Sequence, residues 1–379
     1  MYMPPQPQQG APVPNPEPAP VHVSGLNAWL LTGVVIIVAA GGLLYWSGIF
    51  SGSENDLQGP KKIGILSFRQ FNDVAAGFKN EMTALGYADA EYMERLAIPG
   101  PTMLPDIEAH VREMVAADVD AIWTSLEMQA KIAVDVTKEL GRTDIPIVFM
   151  TRFHDPVDYQ VINSFQSSGN NSTGVVTNLQ EIVQRTLGFF KEIDPDFKKL
   201  GVFADGFIVG DIGGEYFKEL KAQAPRFGMQ LVEYKTSVPP PQAETEFNKI
   251  AATIKKGDID GLFHIAGHFY GTQEAGEGKL AIRLGIPMAA PYEDLPNGGL
   301  FSYSDDFGES GRQTAGILDQ IFKGTKPADM PVRYGANNIL TLMLGRAREA
   351  GVTFPDSMLF IAKNKFEDNS AFETESLVH

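Results

Sequence analysis

From Lys61 onward, short runs rich in β-branched and apolar residues recur roughly every 25 to 50 residues, and helical patterns fill the gaps. The runs are 63–66, 121–123, 147–150, 200–203, 230–234, 261–265 and 287–290. Between them, Val74, Phe78, Met82 and Leu85 follow Asn72 and Asp73 as cap candidates, and Ile107, Val111 and Met114 follow Asp106. Phe247, Ile250 and Ile254 mark another helix, as do Gln313, Ile317 and Ile321. Strand alternating with helix predicts parallel sheets covered on both faces, which explains why Ile147, Val148, Phe149 and Met150 are continuously apolar. Seven such units exceed one ordinary doubly wound sheet. A barrel of eight strands fits the count nearly as well, but the composition breaks at Ser167, Ser168, Gly169, Asn170, Asn171 and Ser172, and both halves restart strand-first. The break is read as a hinge. The expected fold class is therefore α/β, with two doubly wound parallel-sheet lobes whose strand carboxyl ends face each other across a cleft.

The first 60 residues differ in kind. Pro4, Pro5, Pro7, Pro12, Pro14, Pro16, Pro18 and Pro20 give a composition that cannot bury a core, so 1–27 is expected to be a disordered tail. Residues 28–50 carry no charge and are long enough to cross about 30 Å of hydrocarbon as one N-terminal transmembrane helix, with Trp29 at one end and Tyr45 and Trp46 at the other. A cleaved signal peptide is the rival, but no Lys or Arg precedes Lys61, so an uncleaved anchor is favoured. Lys61 and Lys62 follow the span, a charge cue for an inside domain that is weak because long domains translocate despite charge. Residues 51–60 read as a tether.

Composition removes whole classes of chemistry. The formal charge of −16 disfavours a nucleic-acid partner, and the absence of cysteine excludes disulfides, thiolate metal sites and cysteine nucleophiles. There is no phosphate-binding GxxxxGK[ST], no GxGxxG after the first run, no GxSxG and no HExxH. His264 and His268 are the best metal candidate, but no further ligand lies nearby, and they read as an ordinary strand histidine and a strand-end polar residue. Gly308-Glu309-Ser310-Gly311 reads as a helix cap rather than a nucleophile turn. Asn171-Ser172-Thr173 reads as hinge turn chemistry before it reads as a glycosylation acceptor. No catalytic residue, metal or cofactor is expected.

What remains are polar groups at strand carboxyl ends: Ser67, Phe68, Arg69 and Gln70; Thr124 and Ser125; Thr151, Arg152 and Asp155; Asp205; His268; and Tyr303 with Asp305 and Asp306. Hydroxyls there sit beside the free N–H groups of the next helix and can hold a carboxylate, while a facing aspartate can take an ammonium. Phe68, Phe269 or Tyr303 supplies an apolar wall.

These segments resemble the periplasmic substrate-binding proteins of ABC transporters in the tryptophan/tyrosine-type group. The resemblance rests on Lys61-Lys62-Ile63-Gly64-Ile65-Leu66, on Asp120-Ala121-Ile122-Trp123-Thr124-Ser125 with Gln129 and Ala130, on Ile145-Pro146-Ile147-Val148-Phe149 with Asp155-Pro156-Val157, and on Asn171-Ser172-Thr173-Gly174. Residues 299–315 (GLFSYSDDFGESGRQTA) and 323–332 (KGTKPADMPV) are its most specific parts. It implies the type I periplasmic binding protein fold, with 61–168 and 299–331 as the first lobe and 172–296 and 335–379 as the second. The contacts it implies are Ser67, Gln70, Thr124, Ser125, Asp155 and Tyr303 with Asp305 or Asp306. Two segments on the cleft face of the second lobe depart from the family, Ala266-Gly267-His268-Phe269-Tyr270 and GFIVGDIGGEYF after Asp205.

The expected function is that of a membrane-anchored solute receptor, not an enzyme. It closes on a small polar, amino-acid-like ligand through Ser67, Phe68, Gln70, Thr124, Ser125, Thr151, Asp155, Asp205, His268, Tyr303 and Asp305, and serves an ABC permease from the extracytoplasmic side of the cell membrane. A sensory ectodomain on the same anchor is the alternative. An enzyme using His268 and Asp305 as acid and base is a remoter one.

Overall fold

The computed structural model describes residues 59–98, 101–205, 212–236, 240–265, 273–335 and 338–370. The expected tail, the anchor at 28–50 and nearly all of the tether lie outside the described residues. Among the described residues no helix is long and apolar enough to cross a membrane.

Two sheets form. The first takes β1 (Lys62–Ser67), β2 (Glu91–Leu96), β3 (Ala121–Thr124), β4 (Ile147–Thr151), β5 (Ser172–Val176) and a late short strand, β11 (Arg333–Tyr334), in the order β11-β5-β4-β3-β1-β2. All of its pairs are parallel. Helices α1 (Asn72–Ala84), α2 (Met103–Ala116) and α3 (Glu127–Glu139) connect its first four strands. Asn72 and Asp106 fall inside the first turns of α1 and α2, not at the caps. The inner strands β3 and β4 are buried along their whole length, while the edge strand β2 reads Glu-Tyr-Met-Glu-Arg-Leu and has no buried residue. That contrast explains why β2 gives no strand signal in a search for apolar runs.

The second sheet follows α4 (Leu179–Ile193). It takes β6 (Lys199–Asp205), β7 (Gln230–Thr236), β8 (Gly261–Phe263), β9 (Met288–Ala289), β10 (Phe301–Asp305), β12 (Asn338–Met343) and β13 (Asn364–Phe366), in the order β13-β12-β10-β9-β8-β6-β7. Among the described residues, only β10 with β12 is antiparallel in this sheet. Its helices are α5 (Ile212–Gln223), α6 (Pro240–Thr253), α7 (Gln273–Leu284), α9 (Leu344–Glu349) and α10 (Asp356–Ile361), while α8 (Phe307–Phe322) returns to pack on α1.

Two contacts hold α8 to the first sheet. Trp123 of β3 is fully buried, stacks on Phe78 of α1 with ring centroids 5.3 Å apart, and donates from Nε1 to Thr314 Oγ1 of α8 at 2.9 Å. Gly77 of α1 faces Gly308, and a Cβ at Gly311 would run into the Val74 carbonyl. Glycine at both positions lets the two helix backbones approach where any side chain would separate them. Asp306 is the helix cap, accepting the Glu309 N–H at 3.2 Å, so Gly308-Glu309-Ser310-Gly311 lies inside the first turns.

The chain crosses between the sheets three times: after β5, after β10 and after β11. Two expected boundaries move accordingly. Residues 172–176 belong to the first sheet, paired with β4 from Ile147↔Ser172 to Thr151↔Val176. The Ser/Gly/Asn break at 167–172 is therefore the turn that feeds an inner strand, and the crossing comes after it. Asn171 confirms the turn role, because its buried amide donates to the Ile145 carbonyl at 2.6 Å and to Thr137 Oγ1 at 3.1 Å. Residues 301–305, expected with the first lobe, pair with β9 and β12 in the second, since a strand and the helix directly after it belong here to different lobes.

Candidate ligand-binding site

The carboxyl ends of β1, β3 and β4 lie side by side in the first sheet. Ser67 and Phe68 are both buried, and Ser67 Oγ donates to the Phe68 carbonyl at 3.1 Å. Gln70 lies in the single turn 69–71 that precedes α1. At the end of β3, Thr124 is fully buried and its hydroxyl reaches no protein partner, while Ser125 donates from N–H and Oγ to Gln129 Oε1, each at 3.1 Å. Ser125 thus closes the first turn of α3. At the end of β4, the Thr151 hydroxyl is buried without a protein partner. Beneath the following turn, the fully buried Glu127 accepts the Arg152 N–H at 3.0 Å and meets His154 Nδ1 at 2.7 Å. One carboxylate therefore sets the backbone on which Arg152 leaves the strand.

Arg152 is the centre of the arrangement. Its side chain is 1% exposed and lies against three phenyl rings, with Cζ 4.7 Å from the centroid of Phe307, 5.5 Å from Phe153 and 5.7 Å from Phe71. Nη2 reaches Glu293 of the second lobe, in the turn Tyr292–Asn297 between β9 and β10, at 2.8 Å to Oε1 and 2.9 Å to Oε2. This ion pair joins the two lobes. Nε and Nη1 are buried and make no hydrogen bond of ordinary geometry, with the Tyr216 hydroxyl beside the guanidinium.

The charges around it interact. Burial works against the charge on Arg152, but Glu293, Tyr216, Asp305 and Asp294 together hold the guanidinium above its ordinary range. Burial pushes the Glu293 carboxyl up to about 7, with Asp294 and Asp305 adding to the rise and Arg152 opposing it. Tyr216 of α5 is raised by burial, again against Arg152. Behind Glu293, His264 meets Glu277 at 3.2 Å and Asp294 at 3.5 Å.

The remaining expected residues divide. Asp305 is buried where the crossings meet: its carboxylate accepts from Thr177 Oγ1, just after β5, and Gly335, just after β11, lies close by. Burial raises its carboxyl, with Arg152 and Thr177 opposing. Tyr303 is partly buried, edge-on to Phe189 at 5.6 Å, and its hydroxyl donates to Glu181 Oε1 at 3.1 Å. Asp306 is held below the carboxylate range by Lys363 and the Glu309 N–H, against the upward push of burial. Asp155 is exposed and closes its own turn, accepting the Val157 N–H at 2.7 Å. Asp205 ends β6 in register with Thr236. His268 lies outside the described residues, and no cluster among the described residues is suited to a metal ion. The sequence reading placed Arg152 among the strand-end polar groups but left it out of the ligand set, and it did not single out Glu293, Tyr216, Phe71 or Phe307. Its available signal was an arginine directly after the buried run Ile-Val-Phe-Met-Thr and before a phenylalanine.

Two parallel-sheet lobes, three crossings and polar groups gathered at strand carboxyl ends define the class of type I periplasmic binding proteins. The family described as ABC transporter substrate binding protein matches residues 64–366, and the chain belongs to it. It is a binding protein and not an enzyme. Similar solved structures include a conserved domain protein from Vibrio cholerae O1 biovar El Tor, at 20% identity, covering 81% of this chain and 99% of that one with TM-score 0.66. Another is the ABC domain from Streptococcus pneumoniae in complex with L-Trp, at 19% identity, 81% and 99% coverage and TM-score 0.66. A third is the ligand-free, open structure of an adhesive substrate-binding protein from Clostridium difficile, at 19% identity, 81% and 100% coverage and TM-score 0.65. At these identities the likeness is one of fold. No curated protein matches the chain.

Proposed function

We propose that this chain is the solute receptor of an ABC-type importer, binding a small polar, amino-acid-like ligand between its two lobes and handing it to a membrane permease. The observation that carries the reading is the contact of the buried Arg152 with the part-buried Glu293, which brings a charged group from each lobe to the strand carboxyl ends. A ligand favours the joined lobes only by touching both, since equal affinity for two states shifts neither. Arg152, Thr124 and Thr151 offer donors from the first lobe; Tyr216 and the β10 end offer partners from the second. In this proposal residues 28–50 anchor the chain, with the folded part on the extracytoplasmic side. Carbonate-resistant membrane association of the full chain supports the anchor, and release by carbonate counts against it.

The test of binding is a thermal-shift screen of the full chain against amino acids, small carboxylates, amines, sugars and nucleosides. A ligand that binds only the folded state stabilises it by RT ln(1 + [L]/Kd), about 2.7 kcal/mol at a hundred times Kd. A concentration-dependent rise with one solute class is expected. No shift with any class would sink the receptor reading.

A further inference from the structure

Resting on that receptor reading, we infer that the ligand carries a carboxylate and that it binds by taking Arg152 from Glu293, with Glu293 acting as the built-in competitor for the same guanidinium.

The geometry of the pair points there. Glu293 places both of its oxygens on one nitrogen, Nη2, at 2.8 and 2.9 Å. A guanidinium binds a carboxylate best when the two oxygens span two nitrogens. Glu293 leaves Nε and Nη1 without an anionic partner although both are buried, with only the Tyr216 hydroxyl beside them, and each is adjacent through the guanidinium carbon to Nη2. A ligand carboxylate spanning Nη2 and either neighbour makes the bond that Glu293 does not. The unmet capacity in this cluster is for an acceptor, because Asp305 is already engaged by Thr177 and Glu293 by Arg152. Phe71, Phe153 and Phe307 around Cζ exclude water from the guanidinium, which strengthens any anion contact made there.

Displacement requires that Glu293 tolerate losing its cation. The groups facing it are Arg152 beyond β4, Tyr216 on α5, Asp305 at the end of β10, and Asp294 beside it, which His264 meets in turn. Burial, with those carboxylates adding to the rise, pushes its own carboxyl up to about 7, so near neutral pH its protonated, neutral form is within reach and can give up the cation. Only the protonated form leaves Arg152 available. With the competent fraction falling from about nine-tenths at pH 6 to about one-tenth at pH 8, the apparent Kd for a carboxylate weakens roughly tenfold across that range.

The experiment measures binding by calorimetry at pH 6 and pH 8 on the full chain and on the Glu293→Gln and Arg152→Gln variants. The probes are the amino acids, 3-phenylpropionate, acetate, succinate, 2-phenylethylamine, putrescine, ribose and adenosine. Expected are binding confined to carboxylate-bearing solutes, a roughly tenfold weaker wild-type Kd at pH 8, and a Glu293→Gln variant that is flat with pH and roughly tenfold tighter than wild type at pH 8. Arg152→Gln should lose at least roughly 30-fold. A gain in affinity cannot come from damaged folding, so Glu293→Gln keeps the test valid if Arg152→Gln fails to fold. Amino acids binding without the plain acids, or the reverse, identifies the source of the carboxylate. Binding of an amine, sugar or nucleoside untouched by either variant leaves the receptor reading standing and overturns the carboxylate. A carboxylate that binds wild type and Glu293→Gln with the same Kd at both pH values overturns the displacement. Failure of every probe overturns both the receptor reading and this inference.

Discussion

Raising the pH should destabilise this protein chiefly through one residue, Glu293. In the folded state burial holds the Glu293 carboxyl near 7, against an ordinary value of 4.5. Between those values the folded form keeps a proton that the unfolded chain has already released. The stability contributed by that proton is fully present below about 4.5 and is lost as the pH rises through about 7. At 1.36 kcal/mol for each pH unit separating the two states, the loss is on the order of 3 kcal/mol. The assay is urea unfolding without added solute at half-unit steps from pH 4.5 to 9, on wild type and on Glu293→Gln, which accepts from Arg152 but does not titrate. Wild type should fall by this amount relative to the variant, most steeply around pH 5.5 to 6, midway between the two values, and levelling off above about 7. The variant keeps a shallower fall of the same sign, because the Asp305 carboxyl is also raised. Parallel profiles for the two proteins would refute the reasoning, since Glu293 would then titrate alike folded and unfolded.

Thr314→Val should cost about 1 to 3 kcal/mol in urea unfolding by leaving the buried Trp123 Nε1–H without its acceptor. Thr177→Val removes the donor that holds Asp305 between the crossings, so it should raise the Asp305 carboxyl further and lower stability by about 1 to 3 kcal/mol, more at pH 8 than at pH 5. Small-angle scattering of that variant should show a wider spread of lobe arrangements, and an unchanged profile would count against the hinge role. Asp155→Ala should leave the Kd of any bound solute unchanged while costing about 1 kcal/mol, because its carboxylate closes its own turn on the surface. A loss of affinity there would return Asp155 to the ligand set.

Periodicity in the sequence determined the elements whose burial is a property of the segment itself. The run from Ile147 to Met150 is apolar without interruption because β4 is covered on both faces, and every residue of that strand is buried. The alternation of such runs with helical patterns was enough to specify parallel sheets with a polar set at their carboxyl ends. Edge strand β2 escaped because a strand exposed along its length needs no apolar run. Pairing alone decided which lobe each strand joined. Ser172–Val176 looked like the start of something new after a Ser/Gly/Asn turn, and only its register with β4 returns it to the first sheet. The site was legible to the same extent. Strand ends marked Ser67, Thr124, Ser125 and Thr151 as candidates, since a strand end is a local feature. Glu293 is 141 residues from Arg152, and Thr177 is 128 from Asp305. Nothing local in either segment encodes its partner, because those contacts exist only once the chain has crossed between sheets and a charge buried in one lobe must find its counter-charge in the other.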